Sequence, residues 1–494
     1  MAGQRVKRVV IAGGGTAGWC AAAALSRQLG ALIEVVLVES DAIGTVGVGE
    51  ATIPTIRTFH QFLGIDEREF LRATSATFKL GIAFENWGQV GDRYVHSFGE
   101  VGHGTWMGGF QHFWLQAREA GFAEPIGAYS LEHEAAEAGR FATGDQSALS
   151  YAYHLDATGY ARFLRAIAES SGAERKEGRI ARVERDGQSG DLTALVLESG
   201  ERVAGDLFVD CTGFRALLIE DALETGFDDW SHWLPTDRAL AVQTEATGPA
   251  VPYTRAIAHD AGWRWRIPLQ HRIGNGLVYS SAHLSDDAAH DALIAGIEGD
   301  RRTDPRLIRY RTGQRRKAWN ANCIALGLSS GFVEPLESTS IHLIMIGVTR
   351  LMQLFPFEGV SHALRDRYND LAEREIEGVR DFIILHYHLT QRGDSEFWKS
   401  RRTMAIPDSL AHRIALFRES AQAFQASDEL FRVDSWLQVM LGQGLEPQGY
   451  HHMGKIMPPD RLKAALESMR SNIADAVGAM PTHQAFLDRY CNGR

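Results

Sequence analysis

Residues 7–18 read Lys7-Arg8-Val9-Val10-Ile11-Ala12-Gly13-Gly14-Gly15-Thr16-Ala17-Gly18. The run up to Ala12 is short, apolar and rich in β-branched residues, which predicts a buried strand. Gly13, Gly15 and Gly18 satisfy the spacing G-x-G-x-x-G, and an alanine-rich stretch continues as a helix to about Leu29. Strand, glycine turn and helix in this order let a backbone approach a pyrophosphate closely, with Thr16 and Ala17 of the turn beside it. The unsatisfied N–H groups of that helix end favour an anion. A second strand, Ile33–Val38, leads to Glu39. An acid about 20 residues past the last glycine is placed to accept hydrogen bonds from a ribose. A glycine signature alone is weak, and a Gly-rich turn in an unrelated α/β protein would also carry one. Strand, turn, helix, strand and terminal acid together predict a dinucleotide site in an α/β, Rossmann-like box.

Two later stretches bear on which dinucleotide. Leu207–Val209 makes another apolar strand followed by Asp210-Cys211-Thr212-Gly213, and Cys323-Ile324-Ala325-Leu326-Gly327 repeats the pattern. Further glycine-ended strands returning to one nucleotide are the habit of FAD-binding oxygenases. No second G-x-G-x-x-G is present for NADPH, so a reduced flavin is expected from a separate NAD(P)H-dependent reductase.

The 494-residue chain exceeds the ~250–300 residues at which a single core stops growing, so two modules are expected. Hydrophobic residues at 45% and charged residues at 23% place it among ordinary globular proteins. With a net charge of −11 and no basic run, it lacks the footprint of a nucleic-acid binder. No apolar run reaches the ~20 residues that span a bilayer, and no secretory signal precedes the first strand. Cys20, Cys211, Cys323 and Cys491 lie far apart, without metal-ligand spacing. Reduced thiols, no metal and a cytoplasmic protein are the expectation.

Residues 263–268 read Trp263-Arg264-Trp265-Arg266-Ile267-Pro268. This stretch resembles the Trp-x-Trp-x-Ile-Pro signature of the flavin-dependent halogenases, the family that includes the tryptophan halogenases. Taken alone, two tryptophans beside a proline would be core packing. Three more stretches are similar to the family: Gly47-Val48-Gly49-Glu50-Ala51-Thr52-Ile53-Pro54, Gly331-Phe332-Val333-Glu334-Pro335-Leu336-Glu337-Ser338-Thr339, and Arg380-Asp381-Phe382-Ile383-Ile384-Leu385-His386-Tyr387. The similarity runs from about residue 7 to about residue 455. It implies a flavin box resembling the single-component FAD oxygenases, joined to a largely helical substrate module. Val48, Gly49, Glu50 and Ala51 would then belong to a strap across the flavin, with Asp210 and Gly327 also on the cofactor. By the same resemblance, reduced FAD and O2 convert halide to hypohalous acid, which reaches the organic substrate through an internal tunnel. Trp263, Trp265, Ile267 and Pro268 would line the barrier that keeps the flavin's oxidant from hydroxylating substrate directly.

Lys79 is one cation inside the apolar run Phe78–Leu80 and aligns with the family's catalytic lysine. An ammonium there can polarise hypohalous acid by hydrogen bonding, or a neutral amine can form a haloamine if burial depresses its pKa. The bland alternative is a snorkelling lysine. Glu337 precedes an apolar pattern at 341, 344, 345, 348, 351, 352 and 355, an amphipathic helix that Ser338 or Thr339 could cap. Glu337 could bind the oxidant or take the proton lost after electrophilic attack, or be an ordinary acid at a helix N-terminus. Backbone N–H groups of Thr339 and Ser340 suit a halide. Chlorinating members commonly carry glycine at the position of Ser340, so this departure leans the expectation from chloride toward bromide.

Aromatic residues gather at Tyr94, His96, Phe98, Trp106, His112, Phe113 and Trp114, and again at Trp436, Tyr450, His451 and His452. Each one singly reads as core. By resemblance, His96, Phe98 and Trp436 are the candidates to hold an electron-rich ring. The absence of a recognisable carboxylate-binding segment points to indole-like, carrier-bound or larger aromatics. Residues 1–350 are expected to form the FAD module, with substrate-contacting insertions at about 91–150 and 221–290. Residues 351–494 are expected to form a helical substrate module, and a homodimer is compatible with the sequence. Two other functions compete: a flavin monooxygenase that hydroxylates an aromatic directly, and a non-catalytic flavoprotein. The Trp263/Trp265 pair argues against the first, and the Lys79/Glu337 pair against both.

Overall fold

Arg8–Ala12 forms the strand β1, Thr16–Leu29 the helix α1 and Glu34–Glu39 the strand β2 in the computed structural model, which describes residues 5–43, 49–106, 108–144 and 149–492. β1 and β2 are parallel, with Arg8 opposite Glu34 and Ala12 opposite Val38. Buried on both faces, such strands read as unbroken apolar runs rather than as alternating ones. The alanines of α1 let it lie close on the sheet, and Ala21 to Leu25 are fully buried.

Two compact units divide the chain. The first comprises Met1–Ala76, Leu155–Asp237 and Arg309–Glu377, and the second comprises Thr77–His154, Arg238–Ile308 and Gly378–Arg494. The first unit holds a six-stranded sheet in the order Trp319–Asn320, Cys323–Ala325, Leu207–Asp210, β1, β2, Glu174–Glu177. Leu207–Asp210 runs parallel to β1 with Asp210 opposite Ala12, and Cys323–Ala325 runs parallel in turn with Ala325 opposite Asp210. Three strands therefore end level with one another, each followed by a glycine. In open α/β sheets that carboxyl edge is where ligands bind.

In the second unit a seven-stranded sheet runs Arg306–Arg309, Arg238–Glu245, Arg272–Tyr279, Gly262–Pro268, Thr254–His259, Gly81–Glu85, Arg93–Ser97. Its hydrophobic neighbours include Ala289 and Leu293, which pack under Leu240, Val242 and Leu277. From Ser340 onward the regular elements among the described residues are helices. No helix among them is long and apolar enough to cross a membrane. All four cysteines are buried.

Candidate active site

The glycine turn is shaped by where side chains cannot go. Gly13 has φ +104°, and a Cβ there would run into the Cys211 carbonyl of the neighbouring strand end. One on Gly14 would strike the Glu39 carboxylate, and one on Gly18 the Gly13 carbonyl, whereas Gly15 faces open space. Hydrogen bonds from Gly13 N to Val38 O and from Cys211 N to Ala12 O, both 2.8 Å, pin the turn between its neighbours. Gly15 at the N-cap of α1 supplies no side-chain cap, and the first turn carries no acid. The helix-end N–H groups thus face the open side of Gly15, a cradle that fits a dinucleotide pyrophosphate.

Gly327, at φ +66°, closes the cradle, because a Cβ there would sit 3.0 Å from Ala17 Cβ. Asp210 has its carboxylate turned inward: Oδ1 accepts from Thr212 N and Oγ1 at 2.9 and 2.7 Å, and Oδ2 from Leu218 N and Ile219 N at 2.9 Å. It holds the loop beside the turn. Glu39 Oε1 accepts from Arg175 Nε at 2.6 Å and lies 3.5 Å from Arg165. The sequence reading missed both arginines, which reach Glu39 from elements more than 120 residues away. A carboxylate offers about four lone-pair sites, so Oε2 keeps acceptor capacity for a ribose. Gly49, Glu50 and Ala51 form a short strand, while Val48 lies outside the described residues. Burial, and then the charge of Asp156, pushes the Glu50 carboxyl up to about 7.

Glu337 lies in the same unit, on a turn under backbone strain. Glu334 has φ +87° and Ser338 φ +59°, and Glu337 between them is fully buried. Left-handed backbone at non-glycine residues persists only where the surroundings over-determine it. Here Glu334 accepts from Thr236 Oγ1 at 2.6 Å, and Ser338 N donates to Pro335 O at 3.1 Å. The helix Ser340–Gln353 then begins, with Thr339 as its N-cap. The expected side-chain cap is not made. Thr339 has φ −88° and ψ −10°, helical rather than the extended conformation from which a threonine hydroxyl reaches back to the first turn, and Ser338 precedes the cap position. Thr339 is buried and Ser340 partly exposed.

In the second unit, Thr77–Lys79 pairs antiparallel with the strand Ala152–Asp156, Lys79 lying opposite Ala152. Alternation along the strand separates Lys79 and Thr77 from Phe78. Phe78 stacks on Phe141 with ring centroids 4.0 Å apart. Lys79 is fully buried, its Nζ 5.2 Å from the centroid of Phe98. Thr77 Oγ1 donates to Pro268 O at 2.7 Å, tying the lysine strand to the last residue of the tryptophan signature.

Two histidines brace this strand. His154 spans Thr77 Oγ1 at 3.0 Å and Thr254 Oγ1 at 2.9 Å, and burial, followed by the Lys79 charge, drives its pKa well down. His483 Nδ1 donates to Ala250 O at 2.7 Å, and its Nε2 accepts from Phe78 N at 3.2 Å. Burial pushes His483 down to about 4. Neither histidine carried a readable sequence signal, since a lone histidine far along the chain announces no partner.

On the strand Gly262–Pro268, Trp263, Trp265 and Ile267 are buried on one face, and Arg264 and Arg266 are half-buried on the other. Gly276 on the adjacent strand makes room for the Trp265 ring. The indole nitrogens of Trp263, Trp265 and Trp436 are buried without a hydrogen-bond partner among the described residues. Such donors are rare unless a ligand or water completes them. His96 and Trp436 both meet Phe382, at 5.5 and 4.9 Å between centroids, and Arg413 covers Trp436 at 3.9 Å. Phe98 instead meets Lys79. Phe382 and Arg413 were not singled out from the sequence. Trp106 is 93% exposed, against its reading as core.

The tryptophan halogenase family model matches residues 8–459. The tryptophan 6-halogenase of Streptomyces toxytricini is 37% identical over 449 residues, covering 82% of this chain and 83% of its own. Among solved structures, a flavin-dependent halogenase from Xanthomonas campestris is 54% identical, with a TM-score of 0.97 and 99% of each chain covered. A second, from Brevundimonas sp. BAL3, is 47% identical with a TM-score of 0.94, covering 98% of this chain and 99% of its own. The glycine cradle, the signature strand and these matches across nearly the whole length agree, and the chain belongs to the tryptophan halogenase family of flavin-dependent enzymes.

Proposed function

We propose that this enzyme halogenates an electron-rich aromatic, an indole or tryptophan-like compound, with Lys79 and Glu337 as its catalytic residues and with bromide preferred over chloride. The observation that carries this reading is Lys79: a fully buried cation against the Phe98 ring, on a strand braced by two histidines held neutral.

Gly13, Gly15, Thr16, Ala17, Gly18, Glu39, Gly49, Glu50 and Ala51 would hold reduced FAD, with Gly327 closing the cradle and Asp210 acting through the loop it fixes. Reduced FAD bound there would give two electrons to O2, and O2 would supply the oxidising equivalents that turn halide into hypohalous acid. The N–H groups of Thr339 and Ser340 would receive the halide. The Lys79 ammonium donates a hydrogen bond to the hypohalous oxygen and weakens the O–X bond. The aromatic carbon attacks X and the O–X bond breaks; the hydroxide released takes a proton from the Lys79 ammonium and leaves as water, Glu337 accepts the ring proton, and exchange with solvent restores both groups. His96, Phe98 and Trp436 would orient the ring. Trp263 and Trp265 present buried N–H donors on the signature strand. A separate NAD(P)H-dependent flavin reductase in the cytoplasm would deliver the reduced flavin.

The bromide preference rests on Ser340, partly exposed at the first position of its helix. A side chain there loosens the fit around an anion, and bromide sheds water and is oxidised more easily than chloride. The test supplies purified protein with FAD, a flavin reductase, NADH, indole and equal chloride and bromide, with products read by mass spectrometry. Brominated indole in excess is expected, with the excess narrowed in Ser340→Gly. Hydroxylated indole in place of halogenated product would overturn the reaction class. Equal yields from both halides would overturn the preference alone.

A further inference from the structure

Phe98, the ring beside the Lys79 ammonium, is gripped on both sides by one helix of the second unit. It directly follows Arg93–Ser97, the edge strand of the seven-stranded sheet. Backbone groups here alternate in direction. Phe98 N donates to Leu80 O at 2.9 Å, tying it to the residue after Lys79. Ser97 turns its backbone the other way, toward the helix Val433–Gly442, where Gln438 pairs with it as a further strand would. Gln438 Oε1 accepts from Ser97 N at 2.9 Å and from Ser97 Oγ at 2.8 Å, and Gln438 Nε2 donates to Ser97 O at 3.1 Å. Gln438 is 4% exposed and Ser97 1%. A buried backbone N–H and carbonyl at a sheet edge must find partners, and one side chain satisfies both.

The grip has a second point. Asp434, four residues before Gln438 and so on the same face of the helix, accepts from Val101 N at 3.0 Å through Oδ1. Ser97 and Val101 bracket Phe98, and between them a Cβ at Gly99 would strike the Glu132 carboxylate. Phe98 itself is partly exposed, its ring centroid 5.2 Å from Lys79 Nζ. Trp436 lies between the two anchors in sequence, and its indole meets Phe382 and Arg413 instead. One helix therefore carries Trp436 and sets the place of Phe98.

We infer that Gln438 is a positioning residue for halogenation: by pairing with the Ser97 backbone it fixes Phe98 against Lys79, and so holds the aromatic ring where the oxidant arrives. This rests on the reading that Lys79 relays the oxidant and that Phe98 and Trp436 orient the ring. Reacting atoms must meet within about 3–3.5 Å, so a shifted ring forfeits the reaction without affecting how the oxidant is made. Hypohalous acid then forms as before and escapes.

The test follows where the oxidant goes. Purified protein turns over with FAD, a flavin reductase, NADH, bromide and indole, in the presence of a water-soluble 1,3-diketone that traps free hypobromous acid. Brominated indole and brominated diketone are both counted against O2 consumed. Gln438→Met keeps the volume and removes the pairing. Its indole yield per O2 should fall about tenfold or more, with brominated diketone rising, while FAD affinity and O2 consumption stay at wild-type values. Ser97→Ala, which keeps the backbone pairing, should match wild type. Asp434→Ala should shift oxidant to the diketone to a smaller degree, and Asp434→Asn, which keeps the acceptor for Val101 N, should restore the indole yield. In a Phe98→Ala background, Gln438→Met should change the yield less than about twofold, because the two act in one chain. An unchanged indole yield in Gln438→Met would overturn the inference, as would a full tenfold loss added to that of Phe98→Ala. Losses that track FAD affinity in both the Gln438 and Asp434 variants would also overturn it, showing a role in folding alone. Wild type that brominates neither indole nor diketone would instead overturn the reaction on which the inference rests.

Discussion

At the glycine turn, Cβ atoms on Gly13, Gly14 and Gly18 would collide with the Cys211 carbonyl, the Glu39 carboxylate and the Gly13 carbonyl, while the space before Gly15 stays open. At the lysine strand, Phe78 is stacked on Phe141, Thr77 is bonded to His154 and to Pro268, and Lys79 is fully enclosed. One region works by leaving atoms out, the other by filling every position. Their failure modes should therefore be opposite. The turn breaks when atoms are added, and the strand breaks when atoms or hydrogen bonds are removed.

The largest effect is expected where addition meets backbone. Gly13→Val forces a β-branched residue to φ +104° against a carbonyl that cannot move without its strand. It should destabilise the protein by about 4 kcal/mol or more, read as a fall in the urea midpoint. Gly15→Val adds the same atoms where nothing lies within reach, and should leave stability within about 0.5 kcal/mol. Its FAD affinity should nonetheless fall at least about tenfold, since the side chain occupies the pyrophosphate's approach. Equal stability losses in the two variants would break the comparison on the turn side.

Removal should dominate on the strand side. Lys79→Ala should cut halogenation by at least about 100-fold while FAD binding and O2 consumption persist. Lys79→Met, which keeps most of the volume, should be as inactive but more stable than the alanine variant. If methionine restored turnover, packing rather than charge would be the function of Lys79. Glu337→Gln should slow halogenation by a smaller factor, about 10-fold to 100-fold, since it keeps shape and loses only charge and basicity.

A subtler break comes from acid. His483 is held at about 4 against an ordinary 6.5, so the unfolded chain takes up its proton first. The stability from neutral His483 is complete above pH 6.5 and is lost as pH falls toward 4, by at most about 3 kcal/mol. Protonation also removes the acceptor for Phe78 N, next to Lys79. Unfolding free energy followed from pH 7 to 4 should fall less steeply in His483→Gln than in wild type. Parallel curves would show that this histidine does not brace the strand.

The start of the fold was legible because it is local. A β-branched run, glycines needed at left-handed or crowded positions, and an alanine-rich helix all act within about 30 residues. The resulting β1 and β2 lie within one residue of the ends read from the sequence, and α1 ends at Leu29 as read but begins at Thr16, inside the stretch read as the glycine turn. The Thr339 cap was misread for a related reason. Residue type predicted a capping hydroxyl, but the strained turn from Glu334 to Ser338 delivers Thr339 in helical rather than extended backbone.

The sequence by itself determined the family, the parallel strands of the nucleotide box and the alternation that sends Trp263, Trp265 and Ile267 to one face. Each follows from the identity and spacing of neighbours along one stretch of chain. Only the tertiary structure decided that Arg175 would meet Glu39, that His154 and His483 would brace Lys79, that Phe382 would gather His96 and Trp436, and that Gln438 would pair with the backbone of Ser97. Those partners come from residues far apart in sequence. A side chain's burial, protonation and hydrogen bonds depend on what packing brings beside it, and that is written in no single stretch of the chain.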